Sequence, residues 1–435
     1  MMGEPPVSAS KNKSLSIFNV AALGIGAMVG AGIFALLGQA ALLVHSATWL
    51  SFAAGGVIAL FSGYAYSCLG AFYPSRGGII DFFRHGLPST TLANMLSLLY
   101  LVTLALTIAM VARAFGAYAL QLFHEHSTSN GLQEAYAGGI ILVLALVNMA
   151  SSNAVGRTEL VLVAIKLGVL LVLIAAGLMT IKPQLLQIHQ APSTNEFLSS
   201  VGMTFFAYAG FGMMANASDK VANPRRTMPR AFMIAICLTI VLYILLSLVL
   251  LGNVSAADLA KYADTAVAQA AYPILGRLGF TVVSIGALLA TASAINATLF
   301  SAFNIMYSMG DNKTLPALFK QTLWHQATYG NVLAVLAVLI LAIALNLNSL
   351  ANVASATFLI CYLAVFVVAW RLRHKINASP VLVLLGMILM LLVFIGFMSS
   401  LLIQGAKEVA IVVGALLVCW LLALNANRQQ RLSGR

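Results

Sequence analysis

The chain has 435 residues, of which 61% are hydrophobic and only 8% charged, with a formal net charge of +12. A soluble domain carries about 25% charged residues, so this composition excludes a soluble globular protein and belongs to an integral membrane protein. The positive balance does not mark a nucleic-acid binder, because the basic residues sit in short connections between apolar segments, where they report topology.

The first fourteen residues, MMGEPPVSASKNKS, are polar and contain no short apolar core, so residues 1–14 read as a cytoplasmic tail with no separate secretory signal. Beyond them, apolar segments of about 20 residues, enough to cross a bilayer as a helix, recur at 15–43, 47–72, 92–122, 135–152, 158–181, 198–217, 229–252, 277–309, 330–347, 350–371, 380–403 and 408–425. The third and eighth are long enough to tilt or to extend past the bilayer. Segment 253–276 reads as a loop with a short amphipathic piece. The expected fold is therefore an all-α integral membrane protein with 12 transmembrane helices.

With the N-terminus inside, seventeen of the 23 Lys and Arg residues fall on the inner face, among them Lys11, Lys13, Arg76, Arg84, Arg157, Lys220, Arg225, Lys313, Arg371 and Arg435. Only four, Lys182, Lys261, Arg277 and Lys407, fall outside. That bias sets both termini in the cytoplasm, and the expected location is the plasma (inner) membrane.

The ten leading spans divide into two fives, 15–181 and 198–371. The first five opens with GIGAMVGAGIF (Gly24 to Phe34), the second with FFAYAGFGMMANAS (Phe205 to Ser218). Both place glycines where a helix former is expected, and paired interrupted helices at corresponding positions point to the binding site of a secondary transporter. Five spans is an odd number, so the two halves must be inverted. Spans within 380–425 are then accessory, and 426–435 is a cytoplasmic tail.

Gly26, Gly30 and Gly32 let the backbone leave the helix, and the amides and dipole of a following half-helix attract a carboxylate. The same glycines also suit close helix packing, since Gly26 and Gly30 form a small-xxx-small pair. Phe205, Phe206 and Tyr208, next to Gly210 and Gly212, suit either closure over a substrate or ordinary packing.

Lys166 lies in VLVAIKLGVLLVLIAAGL, and a charge in hydrocarbon is costly and usually functional. All eleven acidic residues fall in loops or helix ends, as do the histidines. Arg113 is the other cation at depth; arginine does not titrate in proteins, and its expected role is to snorkel outward or to make a structural bond. Burial favours the neutral amine over the ammonium, so Lys166 is the one expected intramembrane proton carrier; a fixed structural cation is the other reading. Cys68, Cys237, Cys361 and Cys419 lie within or beside spans in no metal-binding or disulfide pattern. No nucleophile–base pair appears, so neither an enzyme nor a cofactor is expected.

These segments resemble those of the amino acid–polyamine–organocation (APC) superfamily. GIGAMVGAGIF is similar to its first-helix signature, YAYSCLGAFYPSRGGIIDFF (Tyr64 to Phe83) to its second helix and loop, FFAYAGFGMMANASDKVANPRRTMPRA (Phe205 to Ala231) to its sixth helix, and SIGALLATASAINATLFSAFNIMYSMGDNKTLP (Ser284 to Pro316) to its eighth. A lysine in the fifth helix and a GFGxxxNAS segment in the sixth resemble an archaeal proton-coupled amino-acid transporter of that family. The resemblance implies the five-plus-five inverted repeat of the sodium-coupled leucine transporter, with discontinuous helices 1 and 6. It implies that Lys166 occupies the place of a sodium ion, near the Gly26 carbonyl and the Ser293 hydroxyl. It also implies a substrate site drawn from Met28, Gly30, Ala31, Gly32 and Ile33 on the first helix and Phe206, Tyr208 and Ala209 on the sixth. There the Ala31 and Gly32 amides would take the carboxylate, and carbonyls near Met28, Phe206 and Ala209 the amine. Many relatives carry an acidic residue where this chain has Gly212.

A cationic substrate side chain would want a carboxylate in the cavity, because an unpaired buried charge is costly, and none is visible. The expected function is proton-coupled symport of neutral, apolar amino acids by alternating access, the partners being an amino acid, a proton and the bilayer. Sodium would compete with the ammonium for one site. The alternative is a proton-independent amino acid or amine exchanger, with Lys166 permanently charged.

Overall fold

In a computed structural model, residues 15–75, 77–124, 129–150, 155–188, 191–311, 314–324 and 327–433 are described. The tail 1–14 with Lys11 and Lys13, and also Arg76, Lys313 and Arg435, lie outside the described residues.

The chain is built almost wholly from helices: α1 (Ile17–Ala31), α2 (Ile33–Val44), α3 (Thr48–Phe72), α4 (Ile79–Gly86), α5 (Thr90–Phe123), α6 (Asn130–Ala150), α7 (Val155–Leu178), α8 (Thr194–Tyr208), α9 (Pro224–Asn253), α10 (Ala256–Tyr262), α11 (Ala266–Asp311), α12 (Tyr329–Ala344), α13 (Leu347–Leu372), α14 (Pro380–Gln404) and α15 (Ala406–Ser433). Among the described residues ten helical stretches are long and apolar enough to cross a membrane, joined by two shorter apolar helices, Ile17–Gly30 and Tyr329–Ala344. Helices satisfy their own backbone polar groups where the bilayer offers no water. Their starts are written in the sequence. Ser16, Ser89, Thr328 and Asn346 accept bonds from amides one turn on, Ser193 and Glu196 form a capping box, and Pro224 and Pro380 occupy first-turn positions.

Several boundaries differ from the sequence reading. Segment 253–276 is largely helical: Ser255 caps α10, and α11 begins at Ala266, then bends at Gly276, whose φ of 65° breaks the helix. Residues 426–433 continue α15, and Asn427 bonds to Asn94 and Thr91 of α5. A two-stranded hairpin, Thr322–Trp324 with Ala327–Thr328, lies between α11 and α12.

The core is one continuous apolar cluster. α5 runs through it, whereas α14 and α15 turn Leu392, Ile395, Leu417 and Leu421 outward. Helix packing sets α3 against α9, α5 against α11, α6 against α5, α11 and α12, and α1 against α9 and the segment following α8.

Candidate substrate and coupling site

The first span breaks at a single residue. Gly32 separates α1 from α2 at φ −79° and ψ −65°, and its N–H still donates to the Met28 carbonyl at 3.2 Å. No side chain caps the start of α2. The sixth span changes more: after α8 it continues as a twelve-residue 3₁₀ segment, Ala209–Lys220, although 3₁₀ runs longer than a turn are uncommon. A Cβ on Gly32 would lie 2.4 Å from the Ala207 carbonyl oxygen, and one on Gly210 would lie 2.6 Å from the Ala27 carbonyl carbon and the Met28 nitrogen. The two interrupted spans therefore cross backbone to backbone, each through a glycine of its own. Gly30 does the packing work the sequence allowed, with Ala290 and Ala294 of α11 at 2.9–3.1 Å from where its Cβ would stand.

Tyrosines hold the carbonyls at this crossing. The Tyr243 hydroxyl, on α9, donates to the Met28 carbonyl at 2.7 Å and lies 3.3 Å from the Ala207 carbonyl. The Tyr362 hydroxyl, on α13, donates to the Ala209 carbonyl at 2.8 Å. Two of the carbonyls expected to receive a substrate amine thus already have a donor in this conformation. Nothing in the sequence singled out Tyr243 or Tyr362, because a tyrosine in an apolar helix carries no sign of what its hydroxyl meets. Tyr243→Phe should leave the crossing short of its donor. We expect a lower melting temperature in detergent, from a destabilisation of about 1 kcal/mol, read by thermal shift.

A cavity of about 60 Å³ lies against this crossing, bordered by Ala27, Gly32, Phe206, Ala207, Ala209 and Gly210 of the two spans. Tyr100, Leu104 and Thr107 of α5, Ala294, Ala297 and Thr298 of α11, Phe358 of α13, and Met213 complete it. No charged side chain is among these. Of the expected substrate residues, Gly32, Phe206 and Ala209 line it. Met28 and Ile33 are buried in packing, and Ala31 is the last residue of α1. Tyr208 does not face the cavity: its hydroxyl donates to the Phe52 carbonyl at 2.9 Å, and its ring packs on Tyr243. At about 100° per helical residue, a side chain two positions from Phe206 points to the opposite side of α8.

Lys166 is 1% exposed. Its Nζ donates to the Gly26 carbonyl at 2.9 Å and to the Ser293 Oγ at 3.5 Å, so one amine on α7 touches α1 and α11. Each partner directly precedes a cavity-lining residue, Ala27 and Ala294 respectively. The lysine therefore stands one residue behind the cavity wall.

Arg113, 8% exposed, reaches Glu134 near the start of α6 at 3.1 Å. Beside it, Gln39 of α2 donates to Asp264 at 2.7 Å, and Gln133 donates to the Arg113 carbonyl at 3.4 Å. Arg113 and Glu134 lie 21 positions apart on different helices, so the sequence alone leaves the bond of Arg113 unassigned.

Many apolar spanning helices, two of them interrupted and crossing at a cavity, define a multi-pass membrane transporter rather than an enzyme. The chain belongs to the amino acid permease family, whose model matches residues 15–423. It is 58% identical over 419 residues to the inner membrane transport protein YbaT of Escherichia coli, covering 96% of this chain and 97% of that one. It is 32% identical to an uncharacterised protein of Methanocaldococcus jannaschii, over 88% of each chain, and 26% identical to a methylthioribose transporter of Bacillus subtilis, over 72% of this chain and 70% of that one.

Proposed function

We propose that the protein is a proton-coupled symporter of neutral, apolar amino acids working by alternating access. The observation that carries this reading is the buried Lys166 bridging Gly26 and Ser293. A protonated amine ties α7 to α1 and α11 through charge-assisted bonds, which are stronger than neutral ones. Loss of the proton weakens that tie, and α1 and α11 are the helices that carry Ala27 and Ala294 to the substrate. Proton and substrate thereby bias one equilibrium between outward-facing and inward-facing states. The absence of charge among the residues lining the cavity supports a zwitterion with an uncharged side chain. Its carboxylate is received at the uncapped start of α2, by amides near Ala31 and Gly32, where the Gly32 N–H must leave the Met28 carbonyl. Its amine is received by carbonyls near Met28, Phe206 and Ala209, where Tyr243 and Tyr362 must yield or share an acceptor.

The two fives, 15–181 and 198–371, form an inverted repeat. Support comes from the packing of positional counterparts against one another: span 1 on span 6, α3 on α9, α5 on α11 and α6 on α12. Both termini are cytoplasmic by the Lys and Arg bias, and the membrane is the inner one, as the name of the E. coli relative states for that protein.

The test is uptake of a panel of labelled neutral amino acids into sodium-free proteoliposomes. We expect uphill uptake under an inward proton gradient, abolished by a protonophore. Uptake that ignores the gradient and requires preloaded internal substrate contradicts symport and establishes exchange.

A further inference from the structure

A second cavity of about 630 Å³ lies beyond the first, bordered by Asp81, Asn216, Lys220, Ser301, Asn304 and Ser308 among others. Asn304, Ser308 and Lys220 are exposed, so this larger cavity opens to solvent as a vestibule. Met213 and Ala297 border both cavities.

Their placement follows from helix periodicity. In a 3₁₀ helix, residues three apart eclipse one another, so Gly210, Met213 and Asn216 form one column along the segment Ala209–Lys220. Gly210 faces the inner cavity, Asn216 the vestibule, and Met213 both. On α11 the spacing of three and four residues gives a facing stripe. Ala294 and Thr298 lie at the inner cavity, Ser301, Asn304 and Ser308 at the vestibule, and Ala297 at the boundary. The path between these two surfaces becomes more polar beyond Met213, where it gains the charged side chains Asp81 and Lys220, and Ala297 opposite is too small to fill the gap alone.

We infer that Met213 is the inner gate of the transporter, the side chain that separates the substrate cavity from the vestibule and must move for a substrate to pass between them. A thioether on an unbranched chain with three rotatable bonds fills an irregular gap and leaves it by rotamer change. Met213 is only partly buried, so it has room to turn toward the vestibule. The inference rests on the alternating-access reading above, but its test requires no transport.

Thiol accessibility in purified protein provides that test. Cys68, Cys237, Cys361 and Cys419 are replaced by alanine, and either Thr298→Cys or Ser301→Cys is added. Reaction with a bulky, charged methanethiosulfonate is then timed in detergent. With Met213 present, the thiol introduced at 301 reacts at least about tenfold faster than that at 298, a difference of about 1.4 kcal/mol in barrier. Met213→Ala should raise the rate at 298 toward that at 301 and leave 301 unchanged, and Met213→Leu should keep 298 slow. The unchanged rate at 301 separates gate opening from misfolding. A rate at 298 that is already fast with Met213, or stays slow after Met213→Ala, overturns the inference. Failure of proton-driven uptake in vesicles would instead count against the function proposed above.

Discussion

Lys166→Ala is expected to abolish accumulation driven by a proton gradient while the protein still folds and reaches the membrane. An inward gradient of about one pH unit supplies about 1.4 kcal/mol per proton, enough for about tenfold accumulation of a substrate carried with one proton. Without the amine, the variant should equilibrate its substrate and accumulate none, and its uptake should lose its dependence on external pH. The substitution also leaves the Gly26 carbonyl and Ser293 hydroxyl without their bonds from Nζ, so some loss of thermal stability should accompany it. Lys166→Met, which keeps the length of the side chain and removes the titrating group, should fold better and be equally uncoupled. Paired measurements of internal substrate at equal and unequal pH check this. A Lys166→Ala protein that concentrates substrate like the parent contradicts the coupling role.

Gly32→Ala and Gly210→Ala are expected to damage binding and stability despite adding one carbon. At both positions the new Cβ meets backbone atoms of the other interrupted span within 2.4–2.6 Å, and a crossing of two main chains has no rotamer with which to yield. Overpacking of this kind costs about 1–3 kcal/mol, which corresponds to about a 5- to 150-fold loss if it falls on the binding-competent arrangement. Gly139→Ala and Gly414→Ala, where nothing lies within 4 Å of the added carbon, should be silent. Uptake and thermal unfolding of the four variants measured side by side decide the matter. Equal activity for all four would show that the crossing does not set the site.

The sequence is a good guide to some of this and a poor one to the rest, for physical reasons. Spanning helices are legible because the bilayer forces long apolar runs, and Lys166 stands out because charge is so rare within them. The two glycine clusters mark the interrupted spans, yet the character of each break is not visible. Gly32 keeps a helical bond to Met28 and interrupts one residue, whereas the sixth span rewinds for twelve. Tyr208 illustrates a further limit: its proximity to Gly210 suggested a role at the substrate, but helical rotation turns it toward Phe52. Contacts between distant segments, such as Tyr243 with Met28 or Gln39 with Asp264, leave no local trace. From sequence Arg113 reads as a structural bond or an outward snorkel and Glu134 as a loop residue, whereas α6 begins at Asn130 and brings Glu134 to Arg113.

The central claim is that one substrate molecule enters together with a proton that Lys166 handles. Its most direct measurement is internal pH, read from a trapped dye in proteoliposomes that start with equal pH on both sides and a membrane potential, inside negative, to draw charge inward. Adding a transported neutral amino acid should acidify the lumen in step with labelled uptake, and the Lys166→Ala protein should give no acidification. Entry of the amino acid with the internal pH unchanged would contradict proton symport.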